Sequence, residues 1–238
     1  MKYKFSKPLI EGTIKSRPNR FIFMVDINGT IQKCHCPTTG RIGSIEFENV
    51  PCLLSENAPG RFTRYTVEAI SSDRKSWIGI NQNKANHYIE YFLKTRQLSK
   101  IAHGNVQRER SLGYARIDFL VSSTYIEVKT PLMELPGSFT KREFSKFDSF
   151  ERMIKHFKEL SNGLKYGYRA VIILCYMFDA EPFSPPSADK DNWRMQRAAM
   201  MATRKGVETW QANLKIDKDG VELMKYFPLR LFGKKPLL

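Results

Sequence analysis

The sequence predicts a two-part mixed protein, α+β grading into α/β: a small all-β barrel over residues 1–80, then alternating helices and strands over residues 81–238. Three observations carry this. Short β-rich runs punctuated by turn residues fill the first third of the chain. From about residue 81 the apolar spacing turns helical and is interleaved with further strands. Arg169-Ala-Val-Ile-Ile-Leu-Cys-Tyr-Met177 is then a continuous apolar run, as a strand covered on both faces requires. At 238 residues, 42% of them hydrophobic, the chain is long enough to bury a substantial core.

In the first part, Ile10–Lys15 and Phe21–Ile27 read as strands, and Asn28-Gly29 is a two-residue hairpin signal leading into Thr30–Cys36. Pro37-Thr-Thr-Gly40 is a turn, and further strands follow around Ile45–Leu54, Arg64–Ile70 and Trp77–Ile80. So many short strands in so little chain suggest a barrel of the oligonucleotide-binding (OB) type. Arg17, Arg20, Lys33 and Arg41 would give it charge for nucleic acid. Phe21, Phe23 and Tyr65 are candidate stacking rings, although most of these aromatics suit a core better.

In the second part, Asn81 or Asn83 can cap a helix running to about Leu98, with Ala85, Ile89, Phe92 and Leu93 at helical spacing. A strand near Val106–Arg110 precedes Ala115–Lys129, which reads as two alternating strands joined by a tight polar turn. Pro131, Pro136 and Gly137 then mark a loop before a long helix, Lys141–Ser161. Its apolar stripe is Phe144, Phe147, Phe150, Ile154, Phe157 and Leu160, with Arg152, Lys155, His156 and Glu159 on a flanking face. After the apolar strand comes a helix over about Asp189–Lys205, ended by Gly206. The last element is a hairpin at Asp217-Lys-Asp-Gly220, a turn that lacks the remaining ligands of a calcium loop.

The chemistry concentrates in the Ala115–Lys129 hairpin. If its loop is Ser122-Ser123, strand register sets Asp118 directly across from Glu127, their Cβ atoms roughly 4.5–5.5 Å apart. Like charges so placed repel, and a hard divalent cation between them, Mg²⁺ or Mn²⁺, would reverse the sign. Lys129 shares that face and could orient a water or neutralise developing negative charge. Taken alone, the Asp-x8-Glu-x-Lys spacing equally describes an exposed hairpin with scattered charges.

Charge sharpens the choice. Lys and Arg number 39 against 24 Asp and Glu, a net +15, which points to a polyanionic partner and to nucleic acid ahead of a lipid surface. No run approaches a spanning helix, and the basic N-terminus lacks an apolar signal segment, so a cytoplasmic protein without membrane contact is expected. Cys34, Cys36, Cys52 and Cys175 make no disulfide framework, and Cys34-His35-Cys36 has no second ligand pair for zinc; structural cysteines are expected. The sequence names no protein partner and leaves oligomerisation open.

The order helix, three strands carrying Asp118 and Glu127-Val128-Lys129, helix, strand resembles the core of the PD-(D/E)xK nuclease superfamily, with Ile117 where a proline often stands. A resemblance covering nearly the whole chain is to the sugar fermentation stimulation protein A (SfsA) family. It rests on Arg17-x-x-Arg20-Phe21, His35-Cys36-Pro37-x-Thr39-Gly40, Ile80-Asn81 with Ala85-Asn86, and Arg108-Glu109. It continues through Gly113-x-x-Arg116-Ile117-Asp118-Phe119 and Tyr125-Ile126-Glu127-Val128-Lys129. The last words are Glu151-Arg152-x-x-Lys155-His156-x-x-Glu159-Leu160, Phe183-x-Pro185 and Gly206-Val207. Thr38 stands for the family's usual Asn, and Ala115 for its usual Ser.

The resemblance implies an OB-like barrel, a restriction-endonuclease-like αβββαβ domain, DNA binding and a role in sugar utilisation. Within it, Asp118, Glu127 and Lys129 would be catalytic, and Asp118, Glu127 and the Val128 carbonyl would hold the metal, with Glu109 as a further ligand. Arg116, Arg152, Lys155 and His156 would join the barrel cations in contacting DNA. Two alternatives stand beside cleavage: a DNA-binding regulator that keeps the fold without the chemistry, and a structural or RNA-associated basic protein, which would leave the opposed carboxylates unexplained.

Overall fold

The computed structural model describes residues 1–38, 42, 45–132, 135, 149–189 and 192–232. A first short strand, β1 (Tyr3–Lys4), is followed by the barrel strands β2 (Ile10–Asn19), β3 (Ile22–Ile27), β4 (Thr30–His35), β5 (Val50–Glu56) and β6 (Tyr65–Ile70), then β7 (Ile78–Gly79). Antiparallel pairing runs β4-β3-β2-β5-β6, and a parallel pairing of β4 with β6 closes the ring, with β7 appended to β6. The result is a closed five-stranded OB-like barrel. Its interior is filled by alternate residues, including Ile14, Phe23, Val25, Cys34, Leu54 and Val67, all fully buried. Asn28 and Gly29 have φ of 51° and 81°, the left-handed pair that a tight β-hairpin demands.

Several elements differ in extent from the sequence expectation. β2 runs past Lys15 to Asn19 and accommodates Pro18 where its register against β3 shifts. The strand expected from Ile45 begins only at Val50. Tyr3–Lys4 leaves the barrel altogether and pairs with Val221 and Gly220 of the other sheet.

That second sheet follows α1 (Gln82–Lys94). Its strands are β8 (Val106–Leu112), β9 (Ala115–Val121), β10 (Thr124–Lys129), β11 (Arg169–Tyr176), β12 (Glu208–Ile216) and β13 (Gly220–Leu229), interrupted by α2 (Ser149–Gly163) and α3 (Trp193–Lys205). Spatial order is β1-β13-β12-β11-β10-β9-β8, and β11 lies parallel to both neighbours at the centre. Its apolar run is buried from Ala170 onward, as anticipated. One face packs on Ala85, Tyr88, Ile89, Phe92 and Leu93 of α1; Leu160 and Ala202, from α2 and α3, belong to the core of the other. Gly206, at φ 111°, ends α3.

α1 stops at Lys94 rather than Leu98, and neither asparagine caps it. Asn81 occupies the cap position, but its Nδ2 donates to Glu68 Oε2 of the barrel at 2.8 Å. Of the long helix expected from Lys141, the part before Ser149 lies outside the described residues, as do Phe144, Phe147 and the side chain of Phe150. All four cysteines are free and buried, and burial alone pushes the Cys34 thiol up to about 12. Among the described residues no helix is long and apolar enough to cross a membrane.

Candidate active site

The β9–β10 hairpin turns at Ser122, with φ 53°, and pairs Thr124 with Val121, Tyr125 with Leu120 and Ile126 with Phe119. The next position in that register brings Asp118 opposite Glu127, as alternation and turn length required. There the β9–β10 ladder ends, and the Val128 N–H donates to Asp118 Oδ2 at 2.7 Å. Asp118 Oδ1 accepts a second bond, 2.8 Å, from Asn86 Nδ2 of α1. α1 is itself tied to this end of β10, since Gln82 Nε2 donates to the Thr130 carbonyl at 2.7 Å.

Glu127 is 2% exposed, not on an open face, because α2 covers it. Its Oε1 accepts from Lys129 Nζ and from His156 Nδ1, each at 2.6 Å. Among the described residues no donor reaches its buried Oε2. Burial pushes the Glu127 carboxyl up, but the His156 hydrogen bond and the Lys129 charge outweigh it and hold the group below the usual range. Asp118 goes the other way: burial, then repulsion from Glu127, raises it in spite of the Val128 and Asn86 bonds. Because an ionised Glu127 only accepts, His156 carries its hydrogen on Nδ1 and leaves Nε2 as the second functional nitrogen.

The structure therefore brings together Asp118, Glu127, Val128, Lys129 and His156. His156 sits inside this cluster and is bound to Glu127, where the sequence set it on a helix face for phosphate. Glu109 does not join them. Register would place it across from Asp118 on β8, but its backbone turns to φ 52° and its carboxylate pairs with Arg116. The described residues contain no group of three or more His, Cys, Asp or Glu with metal-binding geometry. What supports a cation is narrower: two acidic groups, one with a buried oxygen that no donor among the described residues reaches.

The other candidates divide. Arg17 is committed to the barrel: its guanidinium donates to the Thr38 carbonyl at 2.9 Å and to the Arg20 carbonyl at 3.2 Å, and lies 5.4 and 5.5 Å from the Phe23 and Phe47 rings. Arg20, Lys33, Arg116, Arg152 and Lys155 are exposed; Arg41 lies outside the described residues. Glu159 is not on an open face with Arg152 but buried against the Gly113 turn, where φ of 55° and the adjoining carboxylate leave no room for a Cβ. Sequence reasoning missed Asn86. Its signals were its place one helical turn into α1 and its membership of the Ala85-Asn86 word of the family resemblance, neither of which linked it to the hairpin.

Known protein families match two stretches of the chain. Residues 16–80 match the SfsA N-terminal OB domain, and residues 83–220 match the sugar fermentation stimulation protein RE domain. The sugar fermentation stimulation protein homolog of Teredinibacter turnerae is 30% identical over 237 residues, covering 95% of this chain and 99% of that protein. The homolog of Pseudoalteromonas atlantica is 36% identical over 184 residues, 72% of this chain and 76% of its own. A solved structure of Pyrococcus furiosus SfsA in complex with Ca²⁺ shares the fold, with a TM-score of 0.74 at 22% identity, over 97% of this chain and 99% of that one.

Proposed function

We propose that this chain, which belongs to the sugar fermentation stimulation protein A (SfsA) family, is a cytoplasmic DNA-binding protein that hydrolyses phosphodiester bonds with Mg²⁺ or Mn²⁺ at Asp118, Glu127 and Lys129. The observation that carries the reading is the Glu127 carboxylate, buried and held ionised, with one oxygen bound by two nitrogen donors and the other without a donor among the described residues. Such a group costs several kcal/mol to bury unless its charge is compensated. A hard cation with oxygen ligands suits Asp118, Glu127 and the Val128 carbonyl. The Ca²⁺ in the Pyrococcus furiosus relative is an ion of that class.

When bound, such an ion polarises the scissile phosphate and lowers the pKa of a bound water. The side chains do the rest. Asn86 and the Val128 N–H hold Asp118 from two directions. His156 fixes the rotamer of Glu127, and Lys129 offers positive charge to the phosphate oxygens as negative charge builds on them. The net charge of +15 concentrates polyanion around the molecule.

A second reading has its own support. Lys129 and His156 already compensate Glu127 from within the chain, so the site keeps its shape without an ion, as a DNA-binding regulator of sugar-metabolism genes would need. Incubation with single- and double-stranded DNA and Mn²⁺, for the wild type, Glu127→Ala and Lys129→Ala, separates the two. Cleavage lost in both variants while binding persists establishes the nuclease. Salt-sensitive binding without cleavage, the same in all three proteins, establishes the regulator.

A further inference from the structure

We propose that the cleft between the loop after β6 and the outer face of β2, β3 and β5 binds a small phosphorylated sugar. Arg74 and Lys75 would take the phosphate, and the barrel strands the hydroxyls. The cleft has a volume of about 570 Å³, inside the range of small-molecule sites. None of its lining side chains belongs to the Asp118–Glu127 site, so the proposal goes beyond the cleavage reading and does not depend on it.

Strand register builds the floor. Ile14, Val25, Cys52 and Ile70 point into the barrel, so Thr13, Asp26 and Pro51 beside them point out. Thr13 is the partner of Asp26 on one side and of Pro51 on the other. The Ser71 N–H then donates to the Pro51 carbonyl at 2.9 Å. The row Asp26, Thr13, Pro51, Ser71 therefore crosses the barrel, polar except for the proline ring.

The wall is the loop from Ser71 to Trp77, and Asp73 fastens it. Asp73 Oδ1 accepts from the Lys75 and Ser76 N–H groups at 2.9 and 3.0 Å, and its Oδ2 accepts from the Ser76 hydroxyl at 3.1 Å. Arg74 is held within this turn at φ 56°, a left-handed conformation unfavourable to a residue with a side chain. Its guanidinium donates to the Asn49 carbonyl at 3.3 Å and stays exposed, as does Lys75. Among the described residues neither cation meets a carboxylate. Trp77 ends the loop half-buried, packed on the core beneath it and lining the cleft.

These groups select the ligand. Two unpaired cations beside the Ser76 hydroxyl suit a phosphate. The indole offers an apolar surface to the C–H face of a sugar ring, with its polar edge toward water. Asp26 Oδ1 is engaged by the Gly29 N–H at 2.8 Å, which leaves its other oxygen to accept from sugar hydroxyls, next to Thr13 and Ser71. Glu11, the other acid of the cleft, pairs with Lys218 at 3.0 Å and does not oppose the phosphate. A free anion would leave the indole and the strand hydroxyls unused. A nucleotide base would find one ring and no second apolar wall.

Isothermal titration calorimetry of the full chain in EDTA tests this, with glucose 6-phosphate, fructose 6-phosphate, glucose, inorganic phosphate and AMP as probes. At least one sugar phosphate should bind with a Kd below about 1 mM, and glucose and phosphate alone at least about tenfold more weakly. Lys75→Gln should weaken the sugar phosphate roughly ten- to hundredfold, with the melting temperature unchanged because the side chain is exposed. Thr13→Val should weaken it about two- to tenfold and leave inorganic phosphate unaffected. Sugar phosphates bound no tighter than inorganic phosphate, or equally by both variants and the wild type, would reduce the effect to attraction by a net +15 chain and overturn the site. Tighter binding of AMP overturns the choice of ligand, and no saturable binding of any probe overturns the proposal outright. The assay contains neither DNA nor divalent metal, so its failure leaves the cleavage and DNA-binding readings where they stand.

Discussion

Glu127→Gln keeps the shape of the side chain at the centre of the candidate site and removes its charge. In the wild type, Lys129 and His156 each meet Glu127 Oε1 at 2.6 Å, with side-chain exposures of 19%, 12% and 3% for the lysine, histidine and glutamate. Hydrogen bonds to a charged group contribute about 1.5–3 kcal/mol each, and removing one partner of a buried ion pair costs about 3–5 kcal/mol. Glutamine retains an acceptor oxygen, and the neutral amide escapes the burial penalty that opposes ionisation of Glu127. Those gains offset part of the loss and leave a deficit of roughly 2–4 kcal/mol near pH 7. Urea unfolding should show it as a lower midpoint at unchanged slope. The sign with pH follows from the lowered carboxyl of Glu127. Its contribution is complete above the unfolded value of about 4.3 and is lost as pH falls through the lower folded value. The deficit should therefore shrink on acidification below about pH 4. A glutamine variant as stable as the wild type at pH 7, or a deficit that grows with acid, would refute the interlocked Lys129–Glu127–His156 arrangement.

Asp118→Asn should act in the opposite direction. Burial and Glu127 raise the Asp118 carboxyl, so its ionised form costs stability above the folded value, and that cost disappears as pH falls to the unfolded one. The asparagine variant should melt at or above the wild-type temperature at pH 8, lose that advantage by about pH 4, and show no Mn²⁺-dependent cleavage. Arg17→Ala should destabilise the barrel by roughly 1–3 kcal/mol, because the side chain fastens Arg20 and Thr38 and lies over Phe23 and Phe47. Calorimetry on the full chain would reveal it, whereas exposed Lys33→Gln should leave the melting temperature unchanged.

The pairing of Asp118 with Glu127 was legible because it depends on two local rules, the alternation of strand side chains and the length of a turn. Other local signals exposed the Asn28-Gly29 hairpin, the buried β11 and the Gly206 stop: a turn dipeptide, an unbroken apolar run and a glycine after a helical stretch. The companions of the carboxylates were not legible. Asn86 reaches Asp118 from 32 residues away and His156 reaches Glu127 from 29. Helical periodicity gives the faces of α1 and α2, not the strand each one crosses. Glu109 fitted the register yet turned toward Arg116, through a backbone angle no pattern announced.

By itself the sequence determined the elements, the barrel, and two acidic groups set across a hairpin, since each follows from contacts between near neighbours in the chain. Tertiary structure alone decided that β4 closes on β6, that β1 joins the far sheet, and that Glu127 lies beneath α2 with one oxygen unmatched by any described donor. Those outcomes depend on how whole faces pack, and packing sums many weak contacts between distant segments that no local pattern encodes.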